Sequence, residues 1–304
     1  AAALAGIRKL APRHKAGFCP VRAMAARLTP EQVSEVVDVL GGCKAASVHE
    51  VAAALLAGKQ SAFPADELTG LAAAISAMEQ PLDQKPQWLA AERRGLFFVF
   101  EGLDRSGKST QSKLLAKHLE EAGPVKWMCF PNRSTMIGSV IDLYLQRKVD
   151  LSDEAIHHLF SANRWETAQQ IVKDLNEGTS IVCDRYAFSG VAYSAAKGLD
   201  LQWCQEPDRG LPTPDCIFFL HIAEQVGAAR ANFGDERYEN AQMQAQVRIE
   251  FTKPPIRKDV EWHDVDGARD IEVIRAEIRG IAEDVQRKGA AEGGARPISR
   301  LWVS

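Results

Sequence analysis

The chain has 304 residues, of which 46% are hydrophobic and 25% are charged, and its formal net charge is -3. This size and composition allow one large or two modest domains, and the near-neutral charge excludes a global attraction to nucleic acid or to an anionic membrane. No apolar run approaches the roughly 20 residues of a membrane span, and the six cysteines include no C-x-x-C pair, so we expect a soluble protein with reduced thiols and neither disulfides nor zinc.

Residues 1–28 form a basic arm. The arm contains six arginines and lysines, and no acidic residue precedes Glu31. This composition is typical of a mitochondrial or plastid transit peptide, and a basic solvated extension is the simpler alternative. We expect a location in the mitochondrial matrix, with the cytoplasm and the plastid as alternatives.

Residues 29–80 predict an all-α appendage of three short helices. Two of them begin with capping boxes, at Thr29 and at Ser47, in which an acidic or amide residue follows the cap after three positions. The third helix is predicted from Ala65 to Met78, and a linker follows at 81–94. The appendage shows no residues arranged for chemistry, so we interpret it as an interaction or docking module.

A phosphate loop follows the linker. The apolar run Leu96–Phe100 predicts a buried strand, the loop Gly102-Leu-Asp-Arg-Ser-Gly-Lys-Ser109 has the Walker spacing, and a helical pattern comes next. In such a loop backbone N–H groups wrap a polyphosphate, Lys108 neutralises the outer phosphates and Ser109 can bind Mg²⁺. The sequence therefore predicts a nucleotide site here.

Strands and helices alternate through the rest of the chain. This alternation predicts a three-layer α/β fold with a parallel sheet covered by helices on both faces. Ligands then bind at the carboxyl ends of the strands. The predicted strands are 125–130, 180–183, 216–221 and 261–265, and the predicted helices are 136–146, 153–175, one from 187, and 271–287.

Five motifs give the chain its resemblance to a known family. They are Asp104-Arg105 in the loop, Phe130-Pro131-Asn132-Arg133, Leu159-Phe-Ser-Ala-Asn-Arg-Trp-Glu166, Asp184-Arg185-Tyr186 and Phe233-Gly-Asp-Glu-Arg-Tyr-Glu-Asn240. With these motifs, residues 95–304 resemble thymidylate kinases of the eukaryotic type. The resemblance implies a nucleoside monophosphate kinase fold, ATP with Mg²⁺ as phosphoryl donor, dTMP as acceptor and a homodimer.

The resemblance also assigns roles to residues of this sequence. It implies catalytic roles for Arg105, Lys108, Asp184 and Arg185. It implies ATP contacts from Gly102, Ser106, Gly107, Lys108, Ser109, Thr110 and Arg230, and metal contacts from Ser109 and Asp184. It implies dTMP contacts from Asp104, Arg133, Phe160, Arg164, Arg185, Tyr193 and Tyr238.

Physical arguments support several of these roles. Phosphoryl transfer depends on cations around the moving group, which suits Arg105, and a guanidinium such as that of Arg133 can bind a monophosphate in a bidentate manner. Phe160 and Arg164 are four residues apart and share a helix face; in the family the ring stacks on thymine and the guanidinium bonds a base carbonyl. The simpler readings are a surface arginine at Arg133 and a structural Asp–Arg ion pair at 184–185.

The segment around Arg230 resembles the lid that closes over ATP in the family. Two departures from the family pattern are Ala231 and Ala241, which replace expected glycines, and Pro254-Pro255 shortens the helix that follows. These departures bear on the mobility of the lid and on the turnover rate.

Two other functions remain open at this stage. The first is a kinase-fold accessory subunit docked in a larger mitochondrial assembly through residues 1–94, with or without kinase activity. The second is a deoxynucleoside kinase, which Arg133 and the Asp184-Arg185-Tyr186 motif disfavour because they suit a phosphorylated acceptor.

Overall fold

The computed structural model describes residues 47–57, 65–88, 91, 94–222, 236–291 and 297–303. The helices are α1 (Val48–Ala57), α2 (Ala65–Glu79), α3 (Lys108–Leu119), α4 (Met136–Leu145), α5 (Asp153–Asn176), α6 (Ala187–Ala195), α7 (Leu201–Gln205), α8 (Ala241–Phe251), α9 (Pro254–Arg257) and α10 (Ile271–Ala291). The strands are β1 (Phe97–Gly102), β2 (Val125–Cys129), β3 (Ser180–Asp184), β4 (Cys216–His221) and β5 (Trp262–Asp266).

A parallel sheet lies at the centre of the fold. Its strand order is β2-β3-β1-β4-β5, and every neighbouring pair is parallel. All residues of β1 are buried, as expected for a strand covered by helices on both faces. The carboxyl ends of all strands lie at one edge, and β1 brings the phosphate loop to the middle of that edge.

Most of the predicted elements are confirmed, with small differences at their ends. The strand predicted at 180–183 continues to Asp184, and β5 begins one residue later than predicted. The prolines at 254–255 end the α8 region and open α9, because proline is favoured in the first turn of a helix. The sequence did not predict α7 or the 3-10 turn Glu206–Asp208, since segments this short show no periodicity.

The appended helices α1 and α2 belong to the same hydrophobic core as the α/β region. Val51 and Leu71 are almost completely buried, and they share one core cluster with Leu159 and Ala162 of α5. The predicted capping box of α1 is confirmed: Glu50 N donates to Ser47 Oγ at 3.2 Å, and Ser47 N donates to Glu50 Oε2 at 3.0 Å. The arm at 1–28 and the helix predicted from Thr29 lie outside the described residues.

Two further observations bear on the sequence expectations. Cys129, Cys183, Cys204 and Cys216 are free thiols, and burial raises the pKa of Cys204 to about 12. Among the described residues no helix combines the length and the apolar character that crossing a membrane requires.

The shared core predicts that α2 unfolds together with the α/β region. Ile75 is 5% exposed, so Ile75→Ala should lower the free energy of unfolding by about 2–4 kcal/mol. Ser76→Ala, on the exposed face of the same helix, is the control and should have little effect. Urea unfolding followed by circular dichroism should show one transition that moves as a whole. A separate minor transition that alone responds to Ile75→Ala would contradict the shared core.

Candidate functional site

The phosphate loop connects β1 to α3, and two glycines determine its shape. Gly102 has a φ of +136°, and a Cβ there would lie 2.1 Å from the carbonyl oxygen of Leu220. Gly107, the N-cap of α3, has a φ of +102°, in the left-handed region that favours glycine. The N-cap has no side-chain hydrogen bond, so the first backbone N–H groups of α3 can bind an anion.

Lys108 opens α3 and is buried beneath the loop. Its Nζ donates to the carbonyl oxygen of Leu103 and to Ser106 Oγ at 3.3 Å. Burial, with a smaller effect of Arg185, lowers the pKa of Lys108 to about 8 against the opposing effect of nearby carboxylates. A phosphate beside Nζ favours the charged form of the amine, so this end of the site suits a polyphosphate.

Asp184 and Ser109 form a pair of oxygen ligands beside the loop. The parallel register places Asp184 opposite Phe100 of β1, and Ser109 Oγ donates to Asp184 Oδ2. The other carboxylate oxygen, Oδ1, is buried and has no hydrogen-bond partner among the described residues. Carboxylate and hydroxyl oxygens are the ligands that Mg²⁺ prefers, so these two residues fit such an ion.

Arg185 and Asp104 form a partly buried ion pair in the centre of the site. Arg185 Nη2 donates to Asp104 Oδ1, so the partner of Arg185 is Asp104, and the structural pair considered for 184–185 is not formed. Asp104 Oδ2 accepts from Gln244 Nε2 at 2.7 Å and from the Tyr193 hydroxyl at 3.0 Å. Burial raises the pKa of Asp104, but the charges of Arg185 and Lys108 and these hydrogen bonds outweigh it and lower the pKa.

Glu101 fixes the segment that follows β3. This fully buried carboxylate accepts from the backbone N–H groups of Tyr186 and Ser189 at 2.9 and 3.0 Å, and from Ser189 Oγ at 2.5 Å. Burial raises the pKa of Glu101, and these hydrogen bonds and Arg185 oppose the rise. Arg185 has a φ of +67°, which is uncommon outside glycine, so its position depends on such contacts.

Two arginines of the site are paired with carboxylates of the segment 236–240. Arg133 donates to Glu236 at 2.7 Å and to Asp142 at 2.6 Å, and Arg105 donates to Glu239 at 2.8 Å. Both arginine side chains are partly exposed. A phosphate that binds either guanidinium therefore exchanges with a glutamate.

Arg164 lies at the opposite end of the site and is held rigidly. Asp208 accepts from Arg164 Nε at 2.9 Å and from Nη2 at 2.5 Å, and it also accepts from Ser161 Oγ at 2.7 Å. Asp208 is completely buried and Arg164 is 2% exposed. The guanidinium lies above Gly190, where a Cβ would come within 2.7 Å of Nη2.

These groups surround one cavity of about 550 Å³. Phe160 and Arg164 both line it, as their spacing on α5 predicts. Gly102 and Ser106 belong to the loop without lining the cavity, and Arg230 lies outside the described residues. The other predicted site residues that line the cavity are Asp104, Arg105, Gly107, Lys108, Ser109, Thr110, Arg133, Asp184, Arg185, Tyr193 and Tyr238.

Sequence reasoning missed four residues that shape the cavity. Asp208 and Gln244 lie far along the chain from Arg164 and Asp104, and no local pattern marks them. Gly190 is the fourth residue of α6, and a glycine inside a helix signals close packing. Glu101 had a usable signal, because a carboxylate at the end of an apolar strand must be paired.

Comparisons with known proteins agree with this geometry. A family model described as thymidylate kinase matches residues 100–278. The chain is 44% identical to the thymidylate kinase of Schizosaccharomyces pombe over 201 residues, which are 65% of this chain and 96% of that protein. It is 43% identical to that of Homo sapiens over 214 residues, which are 70% of this chain and 99% of that protein. A solved structure of thymidylate kinase from Candida albicans matches with a TM-score of 0.59 and 37% identity, covering 68% of this chain and 98% of that one.

The contacts of Glu101 predict its effect on stability. Glu101→Ala leaves two buried N–H groups without an acceptor and should lower the free energy of unfolding by about 3 kcal/mol. Glu101→Gln keeps one oxygen for these N–H groups and should lower it by about 1 kcal/mol. Chemical denaturation of both variants measures the difference. Equal losses in the two variants would contradict the role of Glu101 as an acceptor.

Proposed function

The chain belongs to the thymidylate kinase family, and from this premise we propose how its cavity works: ATP transfers its terminal phosphoryl group to dTMP, giving ADP and dTDP. One observation carries the proposal. A single cavity joins the phosphate loop with Lys108 at one end to Phe160 and the buried Arg164 at the other. The cavity can therefore hold a polyphosphate and a nucleobase at the same time.

ATP is the donor, and the phosphate loop binds it. The backbone N–H groups of the loop and of the first turn of α3 bind the phosphates, and Lys108 neutralises their negative charge. On phosphate binding Nζ exchanges its bonds to Leu103 and Ser106 for phosphate oxygens. The contact of Arg230 with adenine rests on the family resemblance.

Mg²⁺ accompanies ATP in this proposal. Ser109 and Asp184 are the residues that would hold it, directly or through water, and the buried Oδ1 of Asp184 supports the assignment. When bound, the ion neutralises charge on the phosphates.

The acceptor dTMP occupies the other end of the cavity. Its phosphate replaces Glu236 as a partner of Arg133, since a phosphate dianion offers more charge and more acceptor oxygens than a carboxylate. The base stacks on Phe160 and accepts a hydrogen bond from Arg164, whose donors are fixed by Asp208. Tyr193 and Asp104 lie near the deoxyribose, and Tyr238 lines the same end.

Transfer takes place between the two ends. An oxygen of the dTMP phosphate forms a bond to the γ-phosphorus of ATP as the bond to the bridging oxygen of ADP breaks. Negative charge spreads over the moving group, so nearby cations stabilise the transition state. Arg105, released from Glu239, and Arg185 supply these cations together with Lys108.

We also propose where the protein is located and how it assembles. The basic arm at 1–28 supports a mitochondrial destination. The family resemblance supports a homodimer. Docking of residues 1–94 in a larger assembly stays a prediction.

Coupled measurement of ADP release tests the function. With ATP and Mg²⁺ the chain should turn over dTMP, and dUMP, dGMP and thymidine are the comparison acceptors. Lys108→Ala should lower kcat at least about 100-fold, because it removes a cation from the transferring phosphates. Lys117→Ala, an exposed lysine on the same helix, should leave turnover unchanged. If none of the four acceptors is turned over, the proposal is overturned.

Gly190→Ala tests the assignment of Arg164 to the base. The added Cβ would displace the guanidinium, so the KM for dTMP should rise about tenfold, the equivalent of one lost charged hydrogen bond, while the KM for ATP stays unchanged. Gly280→Ala is the matched control, because Gly280 also lies within a helix but a Cβ there meets nothing within 4 Å. Steady-state kinetics measures both variants. An unchanged KM for dTMP in Gly190→Ala would argue against the assignment.

A further inference from the structure

Residues 81–88, before the α/β region, contact the turn that carries Asp208. Lys85 Nζ donates to the carbonyl oxygen of Arg209 at 2.8 Å and lies 3.5 Å from that of Pro207. Trp88 Nε1 donates to the carbonyl oxygen of Gly210 at 2.8 Å. The segment predicted as a linker thus donates to three carbonyl groups of one turn, those of Pro207, Arg209 and Gly210.

The contacts of Lys85 enclose Asp208. Pro207 and Arg209 are the neighbours of Asp208 in the chain. The ammonium of Lys85, which contacts the carbonyl groups of both, therefore bridges the backbone on either side of Asp208. Lys85 is only 4% exposed, and burying an ammonium is unfavourable unless it is paired. The nearby negative charge of Asp208 and the Trp165 ring, 5.0 Å from Nζ, offset this cost.

The turn is attached to the helix that carries Arg164 at two successive residues. Asp208 holds the guanidinium of Arg164 through two hydrogen bonds, and Trp165 Nε1 donates to the carbonyl oxygen of Pro207 at 2.8 Å. Lys85 therefore contacts the same carbonyl group and the same ring that anchor α5 beside Arg164. A shift of this turn moves the donors that Arg164 presents to the cavity.

We propose that Lys85 and Trp88 are positioning residues for base recognition, because they hold the turn 206–210 whose Asp208 orients Arg164. The inference rests on the proposed function, which assigns Arg164 to the base of dTMP. Both residues precede the family match at 100–278, so part of the specificity of this enzyme resides in sequence outside that match. The segment also continues directly from α2, which links the appended helices to the acceptor end of the cavity.

Kinetics of the full chain with Lys85→Met tests the proposal. Methionine keeps an unbranched side chain and removes the donor. The KM for dTMP should rise about five- to tenfold, as expected for the loss of one hydrogen-bonded contact, while kcat and the KM for ATP change less than about twofold. The preference in kcat/KM for dTMP over 5-methyl-dCMP, in which an amino group replaces one base carbonyl, should fall by a similar factor.

Two further variants sharpen the test. Trp88→Phe removes the hydrogen bond to Gly210 and keeps an aromatic ring beside Trp165. It should produce a smaller change of the same kind, and it carries the test if Lys85→Met does not fold. Lys113→Met is the matched control, because Lys113 Nζ also lies over a tryptophan ring, that of Trp127, at 4.9 Å. Lys113 is exposed and does not line the cavity, so its replacement should leave the KM for dTMP unchanged.

The outcomes separate this inference from the proposed function. Calorimetric titration of dTMP gives a dissociation constant without turnover, and Lys85→Met should weaken binding by the same factor as it raises KM. If the wild-type chain neither binds nor turns over dTMP, both the proposed function and the inference are overturned. If the wild type is active and both Lys85→Met and Trp88→Phe bind dTMP normally, only the inference is overturned. Parallel losses of kcat, ATP binding and melting temperature would indicate a general structural role and would also overturn it.

Discussion

The pairing of buried cations with carboxylates is the constraint on which the site depends. An unpaired charge in a cavity with little solvent is strongly unfavourable, and two kinds of pair meet this constraint. Asp208–Arg164 is almost completely buried, Asp104–Arg185 is partly buried, and both are supported by further hydrogen bonds. In Arg105–Glu239 and Arg133–Glu236 the arginine is about 30% exposed, and the carboxylate of each pair lies on the segment 236–240. The pairs of Arg164 and Arg185 fix the positions of their side chains, and the pairs of Arg105 and Arg133 can exchange with phosphate.

The parallel sheet explains why the fixed pairs lie where they do. β1 and β3 are neighbours, so the residues that follow them, Asp104 and Arg185, meet at the same edge. Glu101 at the end of β1 then binds the start of α6, and this contact holds Arg185 in its left-handed conformation. The geometry of the reacting centre thus follows from strand order and from one buried carboxylate.

The predictable part of the site is the part written in local pattern. Glycine spacing predicted the phosphate loop, and the four-residue spacing of Phe160 and Arg164 predicted a shared helix face, which in the structure lines the cavity. Asp208 and Lys85 could not be predicted in this way. Their contacts connect segments more than 40 and more than 120 residues apart in sequence, and a short turn or an apparent linker carries no periodicity that would indicate them.

The two pairs that can exchange with phosphate, Arg105–Glu239 and Arg133–Glu236, affect how the cavity binds its ligands. Because Arg105 and Arg133 are already neutralised, they add less to the long-range electrostatic steering of ligands than two unpaired arginines would. The pairs instead determine which anions can displace a carboxylate from an arginine. A monovalent anion such as chloride has no advantage in charge over a carboxylate that makes a direct hydrogen bond at 2.7 or 2.8 Å, whereas a phosphate dianion has more charge and more acceptor oxygens. The arginines of the cavity therefore favour phosphate groups, including those of nucleotides, over chloride.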